Sequence, residues 1–230
     1  MQFPITKVNE FFKSDDTKEG ITSLWGNFGV GKTTLSLQTA NLYALNKKKV
    51  LYMYTKPNIP YKKISSVFEN NLDGVLEDIL FIQSTNFDDI FNFVFNLEFV
   101  VLNDLKTGDG KFNLIVIDSM TDLYRLELNR EKKGKNFILN YKLNQLIANL
   151  VNLKQKYEID ILIINELSRR TQEGVTYEVE SGGKVMQYWV KNSIKIERTE
   201  VANNRKFILH RHDDNSSFLL NSTLTIRGFE

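Results

Sequence analysis

An α/β fold built on a mostly parallel sheet is predicted by three observations. From residue 21 onward, apolar blocks alternate with helix-period segments, the βαβα rhythm of strands covered by helices. A glycine-rich loop, Gly26-Asn27-Phe28-Gly29-Val30-Gly31-Lys32-Thr33, joins the first apolar block to the first helical pattern. The last third changes to short strands with polar turns at Asn203-Asn204 and residues 213–216, so antiparallel strands are expected at the C-terminal edge of the sheet.

Residues 21–25 read as a strand running into the glycine loop, and a helix is expected from Lys32 to about Asn46. Leu35, Leu37, Ala40, Leu42 and Leu45 are its packing residues, and lysines 47–49 lie at the end where cations suit the helix dipole. Residues 50–54 form the next strand, stopped by Pro57 and Pro60, and residues 79–82 a third. A helix follows over 88–102, with Asn86 as its cap. Its Phe91, Phe93, Phe95 and Phe99 are expected to pack. Residues 112–117 and 159–164 are apolar runs of the kind buried on both faces, separated by a long helix over 136–157. Residues 194–197, 205–210 and 218–226 supply the terminal strands. Residues 129–135 and 168–183 fit no element and follow the C-terminal ends of strands, the side where open α/β sheets place ligands.

Composition narrows the class. A chain of 230 residues suits one α/β domain over 1–230, with 1–20 a short extension. Thirty basic against 28 acidic residues leave a net charge of +2, which argues against a wholesale nucleic-acid coat. Cysteine is absent, excluding disulfide frameworks and thiolate metal sites. The first 16 residues hold no apolar signal region, and the run 91–105 is broken by polar residues before it reaches a membrane span. A soluble cytoplasmic protein without a membrane partner is the expectation. His210 and His212 share a strand face, but two ligands without a third do not make a metal site; a structural or solvated role is expected. Tyr188 and Trp189 are read as packing residues.

The loop carries a mechanism. Glycines let backbone N–H groups turn inward around phosphate oxygens, and the following helix directs its positive end at them. Lys32 would reach the β and γ phosphates of ATP, and the Thr33 hydroxyl would ligate Mg²⁺. A Mg²⁺ held by one threonine needs a carboxylate, and four apolar residues ending in Asp118 supply it.

With these residues placed, a resemblance emerges. Leu114-Ile115-Val116-Ile117-Asp118-Ser119-Met120-Thr121 resembles the "IVIDS-x-T" segment of the RecA/RadA recombinases, and Ile163-Ile164-Asn165-Glu166-Leu167 is similar to their "TNQV" strand end. Ser181-Gly182-Gly183-Lys184-Val185-Met186 resembles the "GG" plus helix that closes their second DNA-binding loop. The ordered set is similar to a RecA-type P-loop ATPase core, closest in character to archaeal RadA paralogs.

That resemblance implies ATP at Gly26, Asn27, Phe28, Gly29, Val30, Gly31, Lys32, Thr33 and Thr34, and Mg²⁺ at Thr33 and Asp118. It implies Lys63 packing on the adenine and Arg198 reaching a neighbouring subunit's γ-phosphate. Single-stranded DNA is implied near Arg130, Lys132, Lys133 and Lys135 in one segment and Arg169, Arg170 and Tyr177 in the other. Such binding should weaken with salt, with a log–log slope of about −0.7 per phosphate neutralised. A recombinase or other recombination proteins, and further copies of the chain, are the implied protein partners.

Two departures bear on activity. Where the family's second strand ends in a "TEN"-like triplet whose glutamate polarises the attacking water, Thr55-Lys56-Pro57 places a lysine. A protonated lysine cannot act as that base, and losing one commonly costs about 10²–10⁴-fold in rate. The family's γ-phosphate-sensing glutamine is matched by Glu166, which could take over water activation but also repels the γ-phosphate. Slow, DNA-dependent hydrolysis is expected. The first 20 residues are too short for the recombinases' N-terminal domain, and Phe11-Phe12-Lys13-Ser14 does not match their polymerisation tether. The resemblance therefore implies a modulator of homologous recombination and DNA repair. A KaiC-like signalling ATPase on the same core and a nucleotide-gated, non-enzymatic adaptor of a recombinase stay open as alternatives.

Overall fold

The computed structural model describes residues 1–13, 20–68, 72–107, 110–128 and 133–230. Six parallel strands and their antiparallel neighbours form one sheet, whose order sets the C-terminal ends of the strands that precede the predicted ligand loops side by side. In chain order the strands are β1 Ile21–Gly26, β2 Lys49–Tyr54, β3 Ile79–Gln83, β4 Phe112–Asp118, β5 Asp160–Gln172, β6 Val175–Glu180, β7 Val190–Arg198, β8 Asn204–Arg211 and β9 Ser216–Thr223. The order across the sheet is β3-β2-β4-β5-β1-β7-β8-β9, with β6 pairing β5. Pairing is parallel from β3 to β7 and antiparallel from β7 through β9, as the sequence predicts.

The near-continuous apolar runs are explained by burial on both faces. Because strand side chains alternate, Val50, Tyr52, Leu114, Val116, Leu162 and Ile164 enter one core while Leu51, Met53, Ile115, Ile117, Ile161 and Ile163 enter the other. The first core is covered by α1 Thr6–Phe12, α2 Lys32–Leu45, α3 Tyr61–Phe68 and α4 Leu72–Leu76. The second is covered by α5 Phe87–Thr107, α6 Met120–Glu127, α7 Lys133–Tyr157 and α8 Gly183–Trp189. Leu114 is fully buried between strands and helix, so Leu114→Ala should cost about 2–5 kcal/mol.

Several expectations are corrected. In α2, Leu45 points to solvent while Tyr43 and Ala44 are buried, because the helix lies flat on the sheet and turns its last apolar position outward. Asn86 does cap α5, its Oδ1 accepting the Asp89 amide at 2.7 Å, but the helix runs five residues further than expected. Phe91 and Phe93 pack on the core, whereas Phe95 and Phe99 face outward, since the helix buries the stripe Ile90, Val94, Leu97 and Val101 instead. Tyr188 is exposed, while the Trp189 indole N–H donates to Asn144 at 2.9 Å. The His210 and His212 rings pack edge to face with centroids 4.4 Å apart. Burial first, then the neighbouring His210, holds the His212 imidazole below its ordinary pKa.

Residues 168–183, read as irregular, carry a β-hairpin. β5 overshoots the sheet to Gln172, and β6 returns with Arg170 opposite Tyr177 and Arg169 opposite Glu178. Glu173 and Gly174 connect them with φ of 51° and 77°. Two positive-φ residues are what a two-residue type I′ turn requires, and glycine adopts one at no steric cost.

Candidate functional site

The C-terminal ends of β1, β2, β4 and β5 converge on one point. Gly26 leaves β1 in register with Glu166 of β5 and Ile196 of β7. Its φ is 146°, and a Cβ there would lie 2.3 Å from the Ile196 carbonyl oxygen, so only glycine lets the chain turn away from the sheet. At the far end of the loop Gly31 has φ of 110° and begins α2, whose first amides open toward the space above.

Four sequence-predicted residues, Lys32, Thr33, Asp118 and Glu166, meet under this loop. The Lys32 ammonium, nearly buried, donates to the Gly26 and Asn27 carbonyls at 2.8 and 2.9 Å and to Glu166 Oε2 at 2.9 Å. The Thr33 hydroxyl donates to Asp118 Oδ2 at 2.7 Å. Tyr52, on β2, donates to the same oxygen at 3.2 Å. Thr55 ties the strand ends together: its amide donates to the Asp118 carbonyl at 2.8 Å, and its Oγ1 accepts the Ser119 amide at 2.7 Å.

Asp118 is wholly buried, and desolvation raises its pKa above the ordinary carboxylate value. The Lys56 and Lys32 charges and the bonds from Thr33 and Tyr52 oppose that rise. The same burial, with the Asp118 charge second, pushes the Tyr54 phenol up to about 12. Asp118 Oδ1 has no hydrogen-bond partner among the described residues. A carboxylate with one unclaimed oxygen beside a threonine hydroxyl is a hard-oxygen donor set of the type Mg²⁺ accepts. No cluster of three or more acidic, histidine or cysteine ligands occurs among the described residues, so further ligands would come from phosphate and water.

Above these groups lies a cavity of about 270 Å³, bordered by Phe28, Gly29, Gly31, Lys32, Thr33, Tyr54, Lys56, Pro60, Lys63 and Glu166. Val30 and Thr34 are buried beneath it. Lys63 arrives from α3, an element that sequence reading missed because its eight residues directly follow Pro57 and Pro60. Lys56 sits 3.9 Å from Glu166 Oε1 and 5.8 Å from the centre of the exposed Phe28 ring. Arg198 rests on the loop of its own chain, its Nη2 donating to the Phe28 carbonyl at 3.3 Å. Reaching a neighbouring subunit would require giving up that contact.

The predicted DNA residues divide. Arg130 and Lys132 lie outside the described residues. Lys133 and Lys135 are exposed on the first turn of α7 rather than in a loop. Arg170 and Tyr177 face each other across the hairpin, on the side opposite Arg169, so the two arginines do not form one patch. The hairpin's signal in the sequence was the Glu173-Gly174 pair between alternating residues. A second cavity, about 540 Å³, runs from Tyr124, Arg125, Leu128 and Asn140 to the hairpin root at Ser168 and residues 181–185. It joins Leu128 and Asn140, on either side of the first predicted segment, to the root of the second. No helix among the described residues is long and apolar enough to cross a membrane.

The Rad51 family model matches residues 6–203. The chain belongs to the Rad51 family. The match spans every strand of the parallel sheet and both phosphate-site motifs, and a RecA-type domain of this family implies use of a nucleotide and Mg²⁺ in general. Among similar proteins is the DNA repair and recombination protein RadB of Methanocaldococcus jannaschii, 29% identical over 205 residues, covering 89% of this chain and 90% of the relative. The RadB proteins of Methanosphaera stadtmanae and Methanothermobacter thermautotrophicus are 27% and 26% identical, each over 84% of this chain and over 78% and 79% of the relative. The Rad51-family match favours the recombinase-like reading over the KaiC-like one.

Proposed function

We propose that this chain is one ATPase unit that binds ATP–Mg²⁺, turns it over slowly, and modulates homologous recombination and DNA repair as a Rad51-family paralog. The observation that carries this reading is the arrangement of Lys32, Thr33 and Asp118 with Lys56, and not a carboxylate, at the end of β2. Backbone amides of residues 26–34 and Lys32 would hold the phosphates, and Lys63 would border the base. Thr33 and Asp118 would hold Mg²⁺, which supplies charge neutralisation at the phosphates. An ammonium has no lone pair to take a proton from water, so Lys56 cannot serve as the base. Glu166 is engaged by two lysines, which leaves the attacking water without a dedicated acceptor.

The relatives' name, DNA repair and recombination protein, supports the repair role. The exposed side chains of Lys133, Lys135, Arg169, Arg170 and Tyr177 support weak binding of single-stranded DNA through phosphate contacts and stacking. A recombinase is the protein partner this reading favours, and self-association through Arg198 belongs to the same proposal.

ATP turnover, with and without single-stranded DNA, tests the reading. Wild type should be slow and modestly stimulated, Lys32→Ala lower still, and Lys56→Glu faster than wild type by about tenfold or more, a partial recovery of the roughly 10²–10⁴-fold that a general base contributes. Wild-type single-turnover rates far above Lys32→Ala and comparable to active recombinases would refute it. If Glu166→Gln abolishes turnover, the base is Glu166.

A further inference from the structure

Glu166 stands where an anion belongs. Its Oε2 lies 2.9 Å from Lys32 and its Oε1 3.9 Å from Lys56, so one carboxylate bridges two cations on the wall of the 270 Å³ cavity. None of the three is freely solvated: side-chain exposure is 5% for Lys32, 27% for Lys56 and 15% for Glu166. Lys56 is also held from behind. The Gln83 side chain on β3 donates to the Lys56 and Pro57 carbonyls at 2.9 and 2.6 Å, fixing the segment that presents the ammonium.

From this geometry we infer that Glu166 acts as an internal competitor for the terminal phosphate, and that Lys56 is the ligand that captures that phosphate when Glu166 gives way. The inference rests on the nucleotide reading above and deepens it. A terminal phosphate brought to Lys32 would come within a few ångströms of Glu166, and two anions cannot share that space without strong repulsion. Exchanging carboxylate for phosphate keeps both lysines neutralised, whereas removing the carboxylate alone would leave them unpaired. A nucleoside diphosphate has no third phosphate to offer Lys56. It can occupy the helix N-terminus and leave the Lys56–Glu166 pair standing. The lysine at the end of β2 thus has a positive function, discrimination between tri- and diphosphate, besides the absence of a base.

Isothermal titration of a non-hydrolysable ATP analogue and of ADP, both with Mg²⁺, separates the possibilities in wild type, Glu166→Gln and Lys56→Met. Glu166→Gln should tighten the triphosphate analogue about tenfold, the scale of one charge-assisted contact, and change ADP by far less. Lys56→Met should weaken the analogue by a similar factor and spare ADP. Thermal melts of each variant establish that it is folded. Unchanged analogue affinity in Glu166→Gln, or equal losses for both nucleotides in Lys56→Met, would overturn the inference while leaving nucleotide binding intact. A folded wild type that binds neither nucleotide would overturn both.

Discussion

Behind the Asp118 carboxylate stands Tyr52, a fully buried phenol on β2 that donates to Asp118 Oδ2 at 3.2 Å and bonds Ser36 Oγ at 2.7 Å. With the phenol proton on Asp118, Ser36 donates to Tyr52, and its Oγ also lies 3.0 Å from the Thr33 carbonyl, so a chain of polar contacts runs beneath the phosphate helix. Burial, with the Asp118 charge second, holds the Tyr52 pKa well above its ordinary value, which keeps the phenol a donor. Tyr52 fixes one oxygen of the carboxylate, and the other has no hydrogen-bond partner among the described residues. Tyr52→Phe should cost about 1–2 kcal/mol of stability through the lost hydrogen bonds. It should also raise, several-fold, the Mg²⁺ concentration needed for half-maximal nucleotide binding. Thermal melts and a Mg²⁺ titration with a fluorescent nucleotide check the two effects separately; an unchanged Mg²⁺ requirement would confine Tyr52 to packing. The motif residues Lys32, Thr33 and Asp118 were legible because their spacing follows from phosphate chemistry. Tyr52 was not, since in sequence it is one more aromatic in the buried strand Lys49–Tyr54.

Among the elements, the β5–β6 hairpin departs most from its sequence reading. Its β5 half, Ser168 to Gln172, is wholly polar, so composition pointed to a loop, although Val175, Tyr177 and Val179 alternate along β6 and pair across the turn. The hairpin is rooted by Glu180, whose carboxylate accepts from Asn165 Nδ2 at 2.5 Å and from Ser23 Oγ at 3.1 Å. Burial of that root raises the Glu180 pKa to about 7, against the opposing effect of the two hydrogen bonds. Between the ordinary glutamate value of 4.5 and about 7, the folded chain binds this proton more tightly than the unfolded chain. Stability from this site is therefore present at low pH and lost as pH rises through about 7. Glu180→Gln removes the titration while keeping an acceptor for Asn165. Its melting temperature relative to wild type should rise from pH 5 to pH 8, with a gain of about 1 kcal/mol at the upper end after discounting for the partial exposure of the residue. A difference that stays flat across that range would place the titrating group elsewhere.

At the scale of the whole molecule, the parallel half was legible and the closure of the antiparallel edge was not. Alternating apolar runs specify β1, β2, β4 and β5 locally, because each strand must be buried on two faces. The C-terminal residues beyond β9 carry no such periodicity, and contacts 191 positions away in sequence fix them: the Phe229 amide donates to Gln38 Oε1 at 2.9 Å. The Phe229 ring meets Phe207 edge to face at 4.9 Å and abuts Gly31, where an added Cβ would lie 2.6 Å from it. The tail thus ties the far edge of the sheet to the start of the phosphate helix. Phe229→Ala should cost about 3–5 kcal/mol, as for a buried aromatic truncated in place, and should weaken nucleotide binding because Gly31 loses its backing. Phe229→Leu, which keeps much of the apolar volume, should recover most of both losses. Denaturant melts and nucleotide titrations of the two variants decide the matter. If Phe229→Ala loses stability but keeps full nucleotide affinity, the tail is packing alone. A parallel loss in both measurements means that the antiparallel edge helps to shape the phosphate loop from the opposite end of the chain.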